Sequence, residues 1–290
     1  MKNTQKSILI ASLSVFLFSC SSDDSSTPPP PTYHIEKTPY ISEIQQSFYE
    51  SPDPTREGNP QDKIIDINYD FTYDADFNLQ HITYKDALYK NQVAIPQQDL
   101  QLQPTLDPQG RLKLWEIKEK GETVDDYVYQ YQDDRLTAIT YNLRSKGGSF
   151  TSQLSYNDNN QLVLNEALEA NLLIDYKYNA KNQIDKMKFN GQNVSFTYDD
   201  KKSPFYSLPF DLTSVLINFN FILPYTYHFP NNVTSIVLDG QMVQADYTYN
   251  ENDLPLKVVY YTMENEEKII DFEINYSYKI KETKVEQSKL

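Results

Sequence analysis

Ile65-Asp66-Ile67-Asn68-Tyr69-Asp70-Phe71-Thr72-Tyr73-Asp74 is the stretch from which the fold can be read. Its odd positions carry Ile65, Ile67, Tyr69, Phe71 and Tyr73; between them stand Asp66, Asn68, Asp70 and Thr72. Successive side chains of a strand point to opposite faces, so this chain buries one face and wets the other. Wound as a helix, the same residues would scatter their charges all round the cylinder. The pattern returns near the C-terminus, where Ile270, Phe272, Ile274, Tyr276, Tyr278 and Ile280 alternate with Asp271, Glu273, Asn275, Ser277, Lys279 and Lys281. Val243, Ala245, Tyr247 and Tyr249 repeat it once more. One apolar face per strand is the signature of antiparallel sheet.

The stretch ends in a phrase that recurs. Phe71-Thr72-Tyr73-Asp74 leads to Leu79, Leu154-Ser155-Tyr156-Asn157 to Leu162, and Tyr176-Lys177-Tyr178-Asn179 to Ile184. Tyr247-Thr248-Tyr249-Asn250 and Phe196-Thr197-Tyr198-Asp199 put Pro255 and Pro204 in the aliphatic place, and Tyr129-Gln130-Tyr131-Gln132 has a turn one residue shorter. Repetition of one hairpin defines architecture and leaves chemistry open. In Asp107-Pro108-Gln109-Gly110 the Asp bonds back to the backbone, Pro presets φ, and Gly accepts the left-handed conformation. Asn160, Asn182 and Asp253 stand where Gly110 does and tolerate positive φ best among non-glycine residues. Phe77 holds that place in the first copy, which predicts a different turn there. Hairpin feeding hairpin gives an all-β, antiparallel up-and-down meander of roughly a dozen or more strands. So long a sheet twists, and is expected to curl or close into a barrel.

The N-terminus gives an address. Lys2 and Lys6 precede an apolar run from Ile8 to Phe18, too short to span a bilayer as a helix. Leu17-Phe18-Ser19-Cys20 follows and resembles a bacterial lipobox. The resemblance implies cleavage between Ser19 and Cys20 and acylation of Cys20, hence attachment to a membrane through an N-terminal lipid anchor. Cys20 is the sole cysteine, so no intramolecular disulfide can form. Ser21, Ser22, Asp23, Asp24, Ser25, Ser26 and Thr27, then Pro28 to Pro31, cannot bury apolar surface and read as a solvated, partly stiff tether. The expected organisation is a signal peptide over 1–19, anchor and tether over 20–38, and one β domain over 39–290. Asp23-Asp24 just behind the cysteine resembles the export signal of surface-exposed Bacteroidota lipoproteins, which implies an outer-membrane, cell-surface location.

The formal charge of −15 repels phosphate backbones, which excludes nucleic acid as an expected partner, and loss of Lys2 and Lys6 deepens it. His34, His81 and His228 are isolated, so neither a histidine-rich zinc site nor a Ser-His-Asp triad has a signature. There is no P-loop or dinucleotide fingerprint, and no cofactor or metal is expected. The acid pairs Asp125-Asp126, Asp133-Asp134 and Asp199-Asp200 fall at hairpin spacing and read mostly as solvated turn residues. The alternation breaks at 204–230, where Asp211 to Asn218 fits a short helix with an Asp cap. Phe205, Tyr206, Tyr225 and Tyr227 in this excursion, and Trp115, the one tryptophan, are candidate ligand-stacking residues. The competing reading is that the excursion plugs a barrel end and that Trp115 is core.

Asp107-Pro108-Gln109-Gly110-Arg111-Leu112 and Asp134-Arg135-Leu136-Thr137 resemble the YD repeats of Rhs-type and teneurin-like shells, a family richer in glycine than the seven here. The chain more closely resembles a family of Bacteroidota lipoproteins of unknown function with a porin-like β fold. The lipobox, the serial Tyr-Asp hairpins, Tyr198-Asp199-Asp200-Lys201-Lys202-Ser203-Pro204-Phe205 and Asn231-Asn232-Val233-Thr234 carry that resemblance. It implies fold and surface location and brings no catalytic residues. The expectation is a non-enzymatic binding or structural lipoprotein, with a glycan, peptide or outer-membrane protein as partner. The alternatives are an extracellular carbohydrate-active enzyme and an accessory subunit of an outer-membrane nutrient transporter. A transmembrane barrel would need a lipid-facing apolar band with aromatics confined to its rims. Here tyrosines run along the whole apolar face, which therefore reads as protein interior.

Overall fold

The computed structural model describes residues 33–50, 61–208 and 230–286. Among them are sixteen strands: β1 (Tyr33–Tyr49), β2 (Lys63–Tyr73), β3 (Leu79–Lys90), β4 (Val93–Leu106), β5 (Leu112–Glu119), β6 (Glu122–Gln132), β7 (Arg135–Leu143) and β8 (Gly148–Tyr156) in the first half. The second half contributes β9 (Leu162–Ala167), β10 (Leu172–Tyr178), β11 (Ile184–Phe189), β12 (Gln192–Lys202), β13 (Asn231–Leu238), β14 (Gln241–Tyr249), β15 (Pro255–Glu264) and β16 (Glu267–Glu286). Each strand lies beside its sequence neighbours, and β1 against β16 closes the barrel. The expected meander is therefore present and closed. The signal peptide, Cys20 and the helix at Asp211 to Asn218 lie outside the described residues. β1 starts at Tyr33, inside the stretch that reads as tether, because the proline run ends at Pro31 and Tyr33 and Ile35 favour extended chain. The barrel body is Glu36–Thr283; the strand ends 33–35 and 284–286 belong to a small separate unit, where the Lys284 ammonium lies 4.1 Å from the Tyr33 ring centroid.

The alternation read from the sequence sorts the side chains. β2 buries Ile67, Tyr69 and Phe71, and β16 buries Phe272, Ile274 and Tyr276, while Asp66, Asn68, Asp70, Glu273 and Asn275 face outward. A round sixteen-stranded ring would enclose water. Here Trp115, Tyr69, Tyr127, Tyr260 and Phe71 are all but inaccessible and join one apolar cluster, so the interior they line is packed.

One end of the barrel is made by the recurring phrase. Its loops cover 74–78, 107–111, 157–161, 179–183 and 250–254, and in each the leading Asp or Asn accepts two backbone N–H groups on Oδ1. Asp107, for instance, accepts from Gln109 at 3.0 Å and Arg111 at 2.9 Å. The fourth residue is left-handed throughout, with φ of 65° at Phe77, 80° at Gly110, 60° at Asn160, 61° at Asn182 and 60° at Asp253. The expectation of a different turn at Phe77 is thus corrected. A left-handed bulky residue costs roughly 1–2 kcal/mol, and ring packing offsets it: the Phe77 ring lies 5.0 Å from Tyr40 and 6.1 Å from Tyr73. At the opposite end Lys120-Gly121, Asn190-Gly191 and Asp239-Gly240 make two-residue turns with positive φ at both positions, the type I′ geometry that suits twisted hairpins.

The second tyrosine of the phrase has a structural task. In each hairpin from β2–β3 to β14–β15 that repeats the phrase, the ladder slips by one residue at that position. The phenol then donates back to a carbonyl of the preceding strand: Tyr73 to Ile41 at 2.7 Å, Tyr131 to Leu112 at 2.9 Å, Tyr178 to Leu162 at 2.9 Å and Tyr198 to Ile184 at 2.5 Å. In the Tyr247-Thr248-Tyr249 copy it is the first tyrosine, Tyr247, that bonds the Val233 carbonyl while Tyr249 donates to Asp199, and Tyr278 on β16 makes a like bond to Pro255. A half-buried phenol needs such a partner, and phenylalanine would fill the space but lose the bond.

Candidate functional site

Strand register assembles a polar cleft that no contiguous stretch of sequence contains. Gln45 pairs with Asn68, Asn68 with Lys85 and Lys85 with Asp99, giving one row across β1, β2, β3 and β4. Beside it runs Ser47, Asp66, Ala87 and Pro96. Both rows sit on the outward face and line a cleft of about 560 Å³. A bulge between Asp86 and Ala87 bends β4 at the cleft, and Asp86 accepts the Gln98 N–H at 2.7 Å there.

One wall of the cleft is fixed by hydrogen bonds. Asp66 accepts the Ser47 hydroxyl at 2.6 Å and the Tyr89 phenol at 2.6 Å, and pairs with the Lys63 ammonium at 3.0 Å. Burial alone would raise the Asp66 carboxyl, but the bonds from Ser47, Tyr89 and Lys63 outweigh it and hold it below its ordinary range. Nearby, Tyr49 donates to Glu273 at 2.9 Å, and burial together with that bond pushes the phenol up to about 12. Glu273 is also paired with Lys257. The other row is looser. Lys85 is 3.6 Å from Asp99 and both side chains are more than half exposed, whereas Asn68 Oδ1 is inaccessible to solvent and has no hydrogen-bond donor. The cleft thus joins a preset wall to an exposed, loosely held Lys85–Asp99 pair.

The residues singled out from the sequence do not converge on it. Trp115 is 0 % exposed and belongs to the core, so it presents no face to solvent. Phe205 is buried in the same cluster, while Tyr206 is 40 % exposed with the Lys202 ammonium 4.9 Å over its ring. Ser207 donates to the Pro39 carbonyl at 2.7 Å, so the start of the excursion reaches from β12 to β1 across the loop end of the barrel. That placement agrees with the plug reading for the described part of the excursion; Tyr225 and Tyr227 lie outside the described residues. Asp125 and Asp126 hold the turn after β7 through Ser145 and Arg144, and Asp133 and Asp134 form a tight turn with φ of 49° and 60°. Asp199 departs from the solvated-turn reading: it accepts the Lys201 and Asn232 N–H groups and the Tyr249 phenol, and ties β12, β13 and β14 together.

No protein-family model matches the chain, and no curated protein does. Among solved structures it is similar to a porin-like protein from Bacteroides uniformis ATCC 8492, with a TM-score of 0.54 at 12% identity over 82% of this chain and 98% of that one. A porin-like protein from Bacteroides vulgatus ATCC 8482 aligns at 12% identity over 83% of this chain and 99% of that one, with a TM-score of 0.34. The first likeness is one of fold: an antiparallel barrel spanning nearly the whole of the other chain.

Proposed function

We propose that this is a lipid-anchored, non-catalytic binding protein of the outer membrane, exposed at the cell surface. The observation that carries the proposal is the polarity of the barrel wall. Asp271, Glu273, Asn275, Ser277 and Lys279 stand on the outward side of β16 while Phe272, Ile274 and Tyr276 are buried. At the lipid face of a barrel Arg or Lys costs about 2–4 kcal/mol near the midplane, and Asp or Glu costs less, so this wall is built for water. Membrane attachment then falls to Cys20 and its tether, and the body stands in solvent free to bind. The Bacteroides origin of the structurally similar porin-like protein supports an outer-membrane setting.

The test is fractionation of cells carrying the full-length chain or its Cys20→Ala variant, with protease treatment of intact cells. The proposal expects the parent protein in the outer membrane and accessible to protease, and the variant released or uncleaved. Spontaneous insertion of the unlipidated protein into proteoliposomes, with protection from protease, would overturn it.

A further inference from the structure

We infer that the cleft over β1 to β4 binds a neutral, hydroxyl-rich chain, a linear glycan, laid across the strands. The inference rests on the binding-protein reading above and names the ligand class. Adjacent strands are about 4.8 Å apart, so the row Gln45, Asn68, Lys85, Asp99 offers one hydrogen-bonding side chain at each step. That spacing is close to the length of one pyranose unit. A sugar hydroxyl both donates and accepts, and the row supplies both kinds of partner. The exposed Lys85 ammonium and Asp99 carboxylate are only loosely held to each other, 3.6 Å apart.

The second row adds what a sugar ring needs beyond hydrogen bonds. Ala87 and Pro96 form an apolar step on which C–H faces can rest, and Asp66, locked by Ser47, Tyr89 and Lys63, is an acceptor wall that need not reorganise on binding. Charge argues against the other ligand classes. Asp66, Asp86 and Asp99 outnumber Lys63 and Lys85 around the cleft, so a polyanion is repelled. Asp66 is paired with Lys63, Asp99 with Lys85, and Asp86 is engaged by the Gln98 N–H, which leaves little net negative charge for a basic peptide.

The test is calorimetric titration of the soluble mature barrel with maltohexaose, cellohexaose, xylohexaose and mannohexaose, beside hexagalacturonate and hexalysine. At least one neutral hexasaccharide is expected to bind, with Lys85→Ala and Asp99→Ala each lowering affinity by about tenfold or more. Lys85 and Asp99 are exposed, so their variants keep the fold, which circular dichroism verifies. Thr197→Ala, on the outer face of β12, is expected to leave affinity unchanged. No binding by any neutral probe up to about 10 mM, binding unaffected by both cleft variants, or preferential binding of hexalysine or hexagalacturonate would each overturn the inference. None of these results touches the fractionation experiment, so the anchored-protein reading stands or falls separately.

Discussion

The clearest residue-scale rule in this barrel concerns the tyrosine that closes each hairpin. Tyr131 donates to the Leu112 carbonyl at 2.9 Å, and the Arg111 guanidinium lies 4.4 Å from its ring centroid. Tyr131→Phe keeps the ring and its cation contact but removes the donor, so it is expected to destabilise by about 1 kcal/mol, read as a lower urea midpoint at unchanged slope. The recurrence of the tyrosine was visible in the sequence; its task was not, because the accepting carbonyl lies in the preceding strand and is found only through the register. Asp271 is the opposite case, a charge the fold tolerates at a cost. Its Oδ2 is inaccessible and has no hydrogen-bond partner, and burial, with Glu264 nearby, raises the carboxyl above its ordinary range. A carboxyl whose folded pKa exceeds its unfolded one favours unfolding once both states are ionised, and has no such effect when both are protonated. Asp271→Asn should therefore raise the melting temperature near pH 7, with the gain fading toward about pH 3. An equal gain at both pH values would assign the effect to shape instead of charge.

At the scale of elements, β4 shows how the barrel handles an open edge. Its ladder with β5 starts only at Leu100 opposite Glu119, so 93–99 is paired with β3 alone. Such an edge invites another strand, and Val93 and Ile95 on it are 63% and 44% exposed. Three devices blunt it. Pro96 has no N–H to offer, Asp86 takes the Gln98 N–H, and the Gln97 side chain donates to the Ile95 carbonyl at 3.0 Å. Pro96→Val restores a donor and β propensity together, and is expected to give concentration-dependent association in sedimentation velocity where the parent protein shows less. Identical sedimentation would mean that Asp86 and Gln97 suffice. Strands were legible wherever polar and apolar residues alternated, as at Ile65 to Tyr73, and turns wherever Asp, Asn or Gly marked the left-handed position. Phe77 escaped because its backbone cost is offset by Tyr40 and Tyr73, one on β1 and one across the loop. The cleft escaped for a related reason: Gln45, Asn68, Lys85 and Asp99 are ordinary outward residues until four strands align them.

For the molecule as a whole, the decisive property is an interior in which many phenols are buried among aliphatic side chains. The chain holds 24 tyrosines, and Tyr69, Tyr127, Tyr260 and Tyr276 are among those buried in the barrel. Burial pushes Tyr260 up to about 12 and carries Tyr69, Tyr247 and Tyr276 well above the ordinary phenol range. In the unfolded chain a phenol loses its proton near pH 10. Between that value and the folded one the unfolded state binds fewer protons than the folded state, so stability is intact below about pH 10 and falls as pH rises. The expected alkaline titration has two stages. Exposed tyrosines ionise first with the fold intact; the interior ones stay silent and then ionise together as near-ultraviolet circular dichroism collapses. A water-filled lumen would give a different record, because phenols lining water would titrate around pH 10 gradually and reversibly, with no loss of tertiary signal. Phenolate absorbance followed alongside circular dichroism therefore distinguishes a packed barrel from a channel, and the burial of Tyr69, Tyr260 and Tyr276 calls for the cooperative outcome.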